Sequence, residues 1–206
     1  MNLPQIDFLI IGAAKCATTS FHHYLSAHPD IFLPMRHGIN QETGFFLAAG
    51  EESIKGVTND MIRKDVQRIF DDYREESTVG ERATDYSKFP LRTVDFAKIK
   101  THNPRMKFLY FVAEPVERVK KLYRHHLRRN PANTDPDFRL EMEKSGLYYE
   151  CVCSYFAQAK RYVDFFGEES IRIIDVNRLE DNLSRILPDI FRFLDVREYP
   201  VKILGK

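Results

Sequence analysis

At 206 residues the chain has room for one α/β domain with a full core and is short for two. Its 43% hydrophobic and 30% charged residues describe an ordinary globule, and no apolar run approaches the roughly 18–20 residues that span a membrane. The N-terminus lacks the charged and long apolar regions of a signal peptide, so the expectation is a cytoplasmic protein without a membrane partner. Cys16, Cys151 and Cys153 cannot all pair and have no metal-ligand spacing, so no metal is expected.

In chain order, residues 6–12, with an unbroken apolar run over 8–11, predict a buried parallel strand. The stretch FLIIGAAKCATTS, Phe8–Ser20, carries this strand into a turn and then into a predicted helix over 21–27. A helix N-terminus leaves N–H groups unpaired and carries the positive end of the macrodipole, so the junction suits phosphate. Gly12 lets the backbone leave the strand without Cβ strain. Lys15 adds a charge, and Thr18, Thr19 and Ser20 add hydroxyl donors. The loop is not a Walker A motif, because Lys15 lies three residues after Gly12 and Ala17 stands where a second glycine would be expected.

Residues 35–60 and 130–137 read as loops, each a candidate lid or acceptor segment. Ile62, Val66, Ile69, Phe70 and Tyr73 predict a helix over 61–74. A short strand is expected at 78–84 and a second long one at 107–113. Pro115 then suits the first turn of a helix over 116–128. The segment RVKKLYRHHLRR, 118–129, is basic without an acid, which fits either a multiply phosphorylated ligand or a solvated face. A long helix over 148–166 should end at Gly167, followed by a strand over 170–176 and a helix over 182–195. The alternation implies a parallel sheet flanked by helices on both faces. Ligands then belong beyond the carboxyl ends of the strands, near Gly12, Ala113 and Asp175.

Several segments, in order, resemble the sulfotransferases that use 3′-phosphoadenosine 5′-phosphosulfate (PAPS), particularly their carbohydrate, heparan-type branch. GAAKCATTSFHHYLSAHPDIFLP resembles the 5′-phosphosulfate loop and helix. QETGFF at 41–46 resembles the Lys-Glu-x-x-Phe-Phe element, and GERATDY at 80–86 the Gly-Glu-Lys-x-Pro-x-Tyr element. FLYFVAEPVERVKKLYRHHLR resembles the strand, loop and helix that hold the 3′-phosphate. The stretch from GLYYECVCSYF to FRFLDV resembles the later helix–strand–helix.

The resemblance implies a P-loop-like fold, PAPS as donor, no metal, and a small-molecule or glycan hydroxyl as acceptor, with no nucleic-acid partner. It implies Glu42 as general base, Lys15 on the leaving phosphate, and Arg82 near the transferring group. It also places Gly12, Lys15, Cys16, Ala17, Thr18, Thr19, Ser20, Arg118 and Lys121 around the nucleotide. The chain departs from the pattern at Gln41 and Arg82, where the family has lysines, and at Ala83-Thr84, where a proline is missing. Ala113 replaces an arginine and Lys121 a serine at the 3′-phosphate. The chain also reads as shortened after Val196. A catalytically degenerate relative that binds a nucleotide or sulfated ligand is the alternative. Lys100-Thr101-His102 resembles a catalytic element of the cytosolic branch, but here it is read as the lead-in to the strand at 107. His125 and His126 are read as decorating the basic helix.

Overall fold

The computed structural model describes residues 4–34, 42–48, 70, 72–177 and 179–201. Its centre is β1, Phe8–Gly12, whose five residues are all buried, as a run apolar on both faces requires. On one side β1 pairs in parallel with β3, Thr78–Arg82, and β3 with the two-residue β2, Ile31–Phe32. On the other side β1 pairs in parallel with β4, Lys107–Val112, and β4 with β5, Ile171–Asp175. The order β2-β3-β1-β4-β5 gives a five-stranded parallel sheet flanked by helices, the α/β class the sequence predicts.

Six helices accompany it among the described residues: α1, Thr18–Ser26; α2, Phe96–His102; α3, Pro115–Arg129; α4, Phe138–Cys153; α5, Tyr155–Phe166; and α6, Leu179–Phe193. The core forms where they meet the sheet. Phe21 of α1 stacks on Phe111 of β4 with centroids 4.2 Å apart, and both rings are fully buried. Each such ring contributes about 1.5–3 kcal/mol through burial. No described helix is long and apolar enough to cross a membrane.

Three elements differ from expectation. The segment 100–102 is the end of α2, which starts where the Asp95 side chain accepts the Lys98 N–H at 2.9 Å. The predicted helix over 148–166 starts ten residues earlier, where Asp137 accepts the Arg139 and Leu140 N–H groups, and it is broken at Ser154. At the break, side chains take carbonyls that a continuous helix would use. Gln158 Nε2 donates to Cys151 O at 3.2 Å, and the Arg118 guanidinium donates to Val152 O. Strand β2 is too short for a periodicity to register. The predicted helix over 61–74 lies mostly outside the described residues, as do Gln41 and most of 35–60.

Candidate active site

The loop leaving β1 is held from below. Ala13 N–H donates to Phe111 O of β4 at 2.7 Å, and Arg118 Nε donates to Ala14 O at 2.9 Å. Gly12 has φ 145°, and a Cβ there would overlap the Ser87 hydroxyl. Lys15 and Ala17 both adopt left-handed conformations, with φ of 68° and 56°. Each costs about 1–2 kcal/mol outside glycine. The strained turn delivers the chain to α1 with no side-chain cap, so the N–H groups of the first turn lack a capping acceptor. The cradle is therefore built from donors: backbone N–H groups, the exposed Lys15 and Thr19, half-buried Ser20 and buried Thr18.

Arg82 ends β3 beneath this cradle. It is 5% exposed, and its guanidinium donates to Thr19 Oγ1 at 3.1 Å. Burial lowers its pKa while the charge of Glu42 opposes the shift. Glu42 comes from the segment 42–48, and its Oε2 accepts from the Thr84 N–H at 3.1 Å and hydroxyl at 2.8 Å. Lys15 is electrostatically coupled to the same carboxylate. Partial desolvation and the neighbouring Arg128 and Arg129 lower the Lys15 pKa, and Glu42 raises it. The fold thus brings together Lys15, Thr19, Glu42 and Arg82, the residues the sequence places at the centre.

The segment bearing Glu42 is docked by a buried carboxyl group that the sequence reading did not single out. Glu81, 1% exposed, accepts from the Thr43 hydroxyl, from Phe45 N–H at 3.4 Å and from Tyr86 OH at 2.6 Å. Tyr86 OH also accepts Phe46 N–H at 2.9 Å, and the Tyr86 carbonyl accepts Tyr162 OH at 2.7 Å. Burial pushes the Glu81 pKa up, against the three hydrogen bonds. The available signal was an acid inside a strand buried on both faces, which must be paired to be tolerated.

Helix α3 forms the basic wall. Arg118, expected at the nucleotide, is fully buried and spends its donors on the Ala14 and Val152 carbonyls, with Cys153 Sγ at 3.6 Å. A buried guanidinium must find such acceptors, and here they are backbone. The Cys16 side chain is also fully buried. Lys121 is exposed, and its charge bears on Cys16, so it stands beside the loop. His125 is half-buried, its pKa lowered by desolvation and then by Lys15, His126, Arg129 and Arg128. It therefore belongs to the wall facing Lys15. Ala113 follows β4, its N–H donating to Tyr155 OH at 3.4 Å. His102 accepts the Ile6 N–H at 2.8 Å ahead of β1, at the opposite end of the sheet from the cradle.

No family model matches the chain. Over 94% of its length it is similar, at 24% identity, to the bifunctional heparan sulfate N-deacetylase/N-sulfotransferase 1 of Caenorhabditis briggsae, of which it spans only 23%. It superposes on a sulfotransferase from Alicyclobacillus acidocaldarius with a TM-score of 0.80 at 27% identity, covering 98% of this chain and 86% of that one. In sequence and in fold the chain is similar to the sulfotransferases. The sulfotransferase domain of the curacin biosynthetic pathway shares the fold at a TM-score of 0.62 and 13% identity, over 97% of this chain and 77% of that one. The domain of the Synechococcus PCC 7002 olefin synthase does so at 0.59 and 13%, over 97% and 76%. On this sulfotransferase scaffold the donor-lined loop sits beyond the carboxyl end of the central strand, where α/β folds place their ligands.

Proposed function

We propose that the chain moves a sulfuryl group from PAPS to a hydroxyl of a carbohydrate or glycosylated metabolite. The observation that carries this reading is the convergence of Lys15, Thr19, Arg82 and the Thr84-held Glu42 around an uncapped helix start. The donor set fits the group, since every contributor to the cradle offers N–H, O–H or positive charge. When bound, PAPS supplies the sulfuryl group and leaves as adenosine 3′,5′-bisphosphate. Lys15 and the first-turn N–H groups of α1 hold the 5′-phosphate oxygens and offset the charge that accumulates there. Glu42 takes the acceptor hydroxyl proton on its carboxylate, with Thr84 fixing its orientation. Arg82 holds Thr19 in place and adds positive charge beneath the transfer point. Lys121 would supply toward the 3′-phosphate the charge missing at Ala113.

One observation favours the second reading, a catalytically degenerate binder: Arg118 is turned into the scaffold, which thins the cationic lining of the nucleotide site. Titration calorimetry with adenosine 3′,5′-bisphosphate, without metal and alongside ATP–Mg²⁺, tests the donor. Micromolar binding of the bisphosphate, weakened in Lys15→Ala and Lys121→Ala, is expected, and its absence in folded protein overturns the reading. Glu42→Gln should keep that binding and lower turnover by about 10²-fold or more. Normal turnover in that variant removes Glu42 as the base, and no transfer by the wild type to any acceptor leaves the degenerate binder.

A further inference from the structure

A buried charge is tolerated where an opposite charge or a set of acceptors meets it. Arg118 is fully buried near the start of α3, and a guanidinium stays protonated in proteins. Its acceptors are all uncharged: Ala14 O, 2.9 Å from Nε, then Val152 O, and Cys153 Sγ at 3.6 Å. It makes no ion pair with any described residue. The ionisable groups around it are the thiols of Cys16 and Cys153 and the phenols of Tyr110 and Tyr155. The Tyr155 ring is centred 5.2 Å from the guanidinium carbon. Burial raises the pKa of all four groups, so at neutral pH they are protonated and supply no negative charge. Among the described residues, this charge has no counter-ion.

The bond to Ala14 also decides which way a peptide group faces. The Ala14–Lys15 peptide is trans, so its C=O and its N–H point in opposite directions. Its carbonyl is drawn down onto buried Arg118, which turns the N–H of exposed Lys15 to the outer face of the loop. That N–H makes no hydrogen bond to a described residue. Lys15 and Ala17 are left-handed, and successive N–H groups in turns of this kind form a concavity that takes an anion. A carbonyl facing outward here would present its negative end to that anion instead. Strained residues persist only where their surroundings over-determine them. Arg118 supplies one such constraint, and the Ala13 N–H on Phe111 O supplies another.

We propose that Arg118 is a positioning residue of the anion site, which it serves without touching the ligand. It holds the Ala14–Lys15 peptide with the N–H outward, and the bound phosphate group completes its charge from the other side of the loop. The proposal rests on the donor-binding reading above. It divides the cations of the site into two kinds. Lys15 and Lys121 are exposed, so salt screens their pull, whereas a buried charge such as Arg118 is screened much less.

The test is calorimetry with adenosine 3′,5′-bisphosphate and with inorganic pyrophosphate, at about 0.15 M and about 1 M sodium chloride. Arg118→Gln removes the charge but can still donate to the Ala14 carbonyl, and Arg118→Lys keeps the charge. The glutamine variant should bind both ligands about tenfold more weakly, by the same factor at both salt concentrations. The lysine variant should lose less. A second measurement needs no variant: in the wild type, the Lys15 amide proton should move downfield in NMR spectra as pyrophosphate is added. A Lys15 amide that stays in place while the anion binds overturns the proposal. So does a folded Arg118→Gln with wild-type affinity, or one whose loss vanishes at the higher salt. Pyrophosphate binding with the Lys15 shift, but no binding of the bisphosphate, instead counts against the transfer reading alone.

Discussion

Lys15 is placed where its charge is both needed and opposed. Desolvation and the cations Arg128 and Arg129 lower its pKa, with Glu42 pulling the other way. If, as proposed, its protonated form holds the phosphate, bisphosphate affinity should fall as pH rises through a value below the ordinary lysine figure of about 10.4. Arg128→Ala should move that alkaline limb to higher pH, read by calorimetry across the range. A limb that stays in place excludes the coupling.

His22 in α1 is fully buried, with the Pro34 carbonyl beside it but no hydrogen bond of good geometry to either ring nitrogen. Burial, and then the neighbouring Arg82, hold its pKa down at about 4. A histidine whose folded pKa lies below its unfolded value of about 6.5 binds fewer protons folded than unfolded between those two values. Stability should therefore fall as pH drops from about 6.5 towards 4, by an order of about 3 kcal/mol. Urea midpoints should show that loss, and His22→Leu should flatten it. An equally steep loss in the variant assigns the effect to other groups.

Among the elements, the 42–48 segment is held in part by one phenol. Tyr86 OH donates to Glu81 and accepts the Phe46 N–H, so Tyr86→Phe leaves a buried carboxyl group and an amide short of a partner. A loss of about 1–3 kcal/mol is expected, together with a lower kcat at unchanged bisphosphate affinity, because the disturbed element carries the proposed base and not the proposed phosphate cradle. Equal losses of kcat and bisphosphate affinity would place the damage in the sheet itself. This docking is the part of the site least legible in the sequence. Lys15, Thr19 and the strand–loop–helix announce themselves through an apolar run followed by donors, and Pro115 and Gly167 mark helix ends by their own backbone constraints. The role of Glu81 depends on Thr43, a partner 38 residues away. The break at Ser154 was invisible for the same reason: Arg118, 34 residues away, satisfies the Val152 carbonyl from outside the segment.

For the whole molecule, a net charge of +1 conceals a one-sided distribution. Lys15, Lys121, Arg128 and Arg129 gather around the loop end of α3, while charges such as the Lys160–Asp164 and Arg139–Glu143 pairs neutralise each other elsewhere. Exposed charges are screened beyond about 8 Å at 0.15 M salt and about 3 Å at 1 M. Bisphosphate affinity should therefore weaken severalfold between those salt concentrations, and Lys121→Ala should reduce the slope. A salt-independent affinity would show that the basic face takes no part in binding.

The double grip of Arg118 bears on how such a chain can be re-engineered or diversified. One guanidinium holds the Ala14 carbonyl of the loop after β1 and the α4-terminal carbonyl of Val152, so that loop and α4 share a keystone. Helix α4 cannot be swapped from a relative as a free-standing cassette. The transferable unit is α3 together with α4, and a graft that separates them should cost donor affinity even where no donor contact is altered.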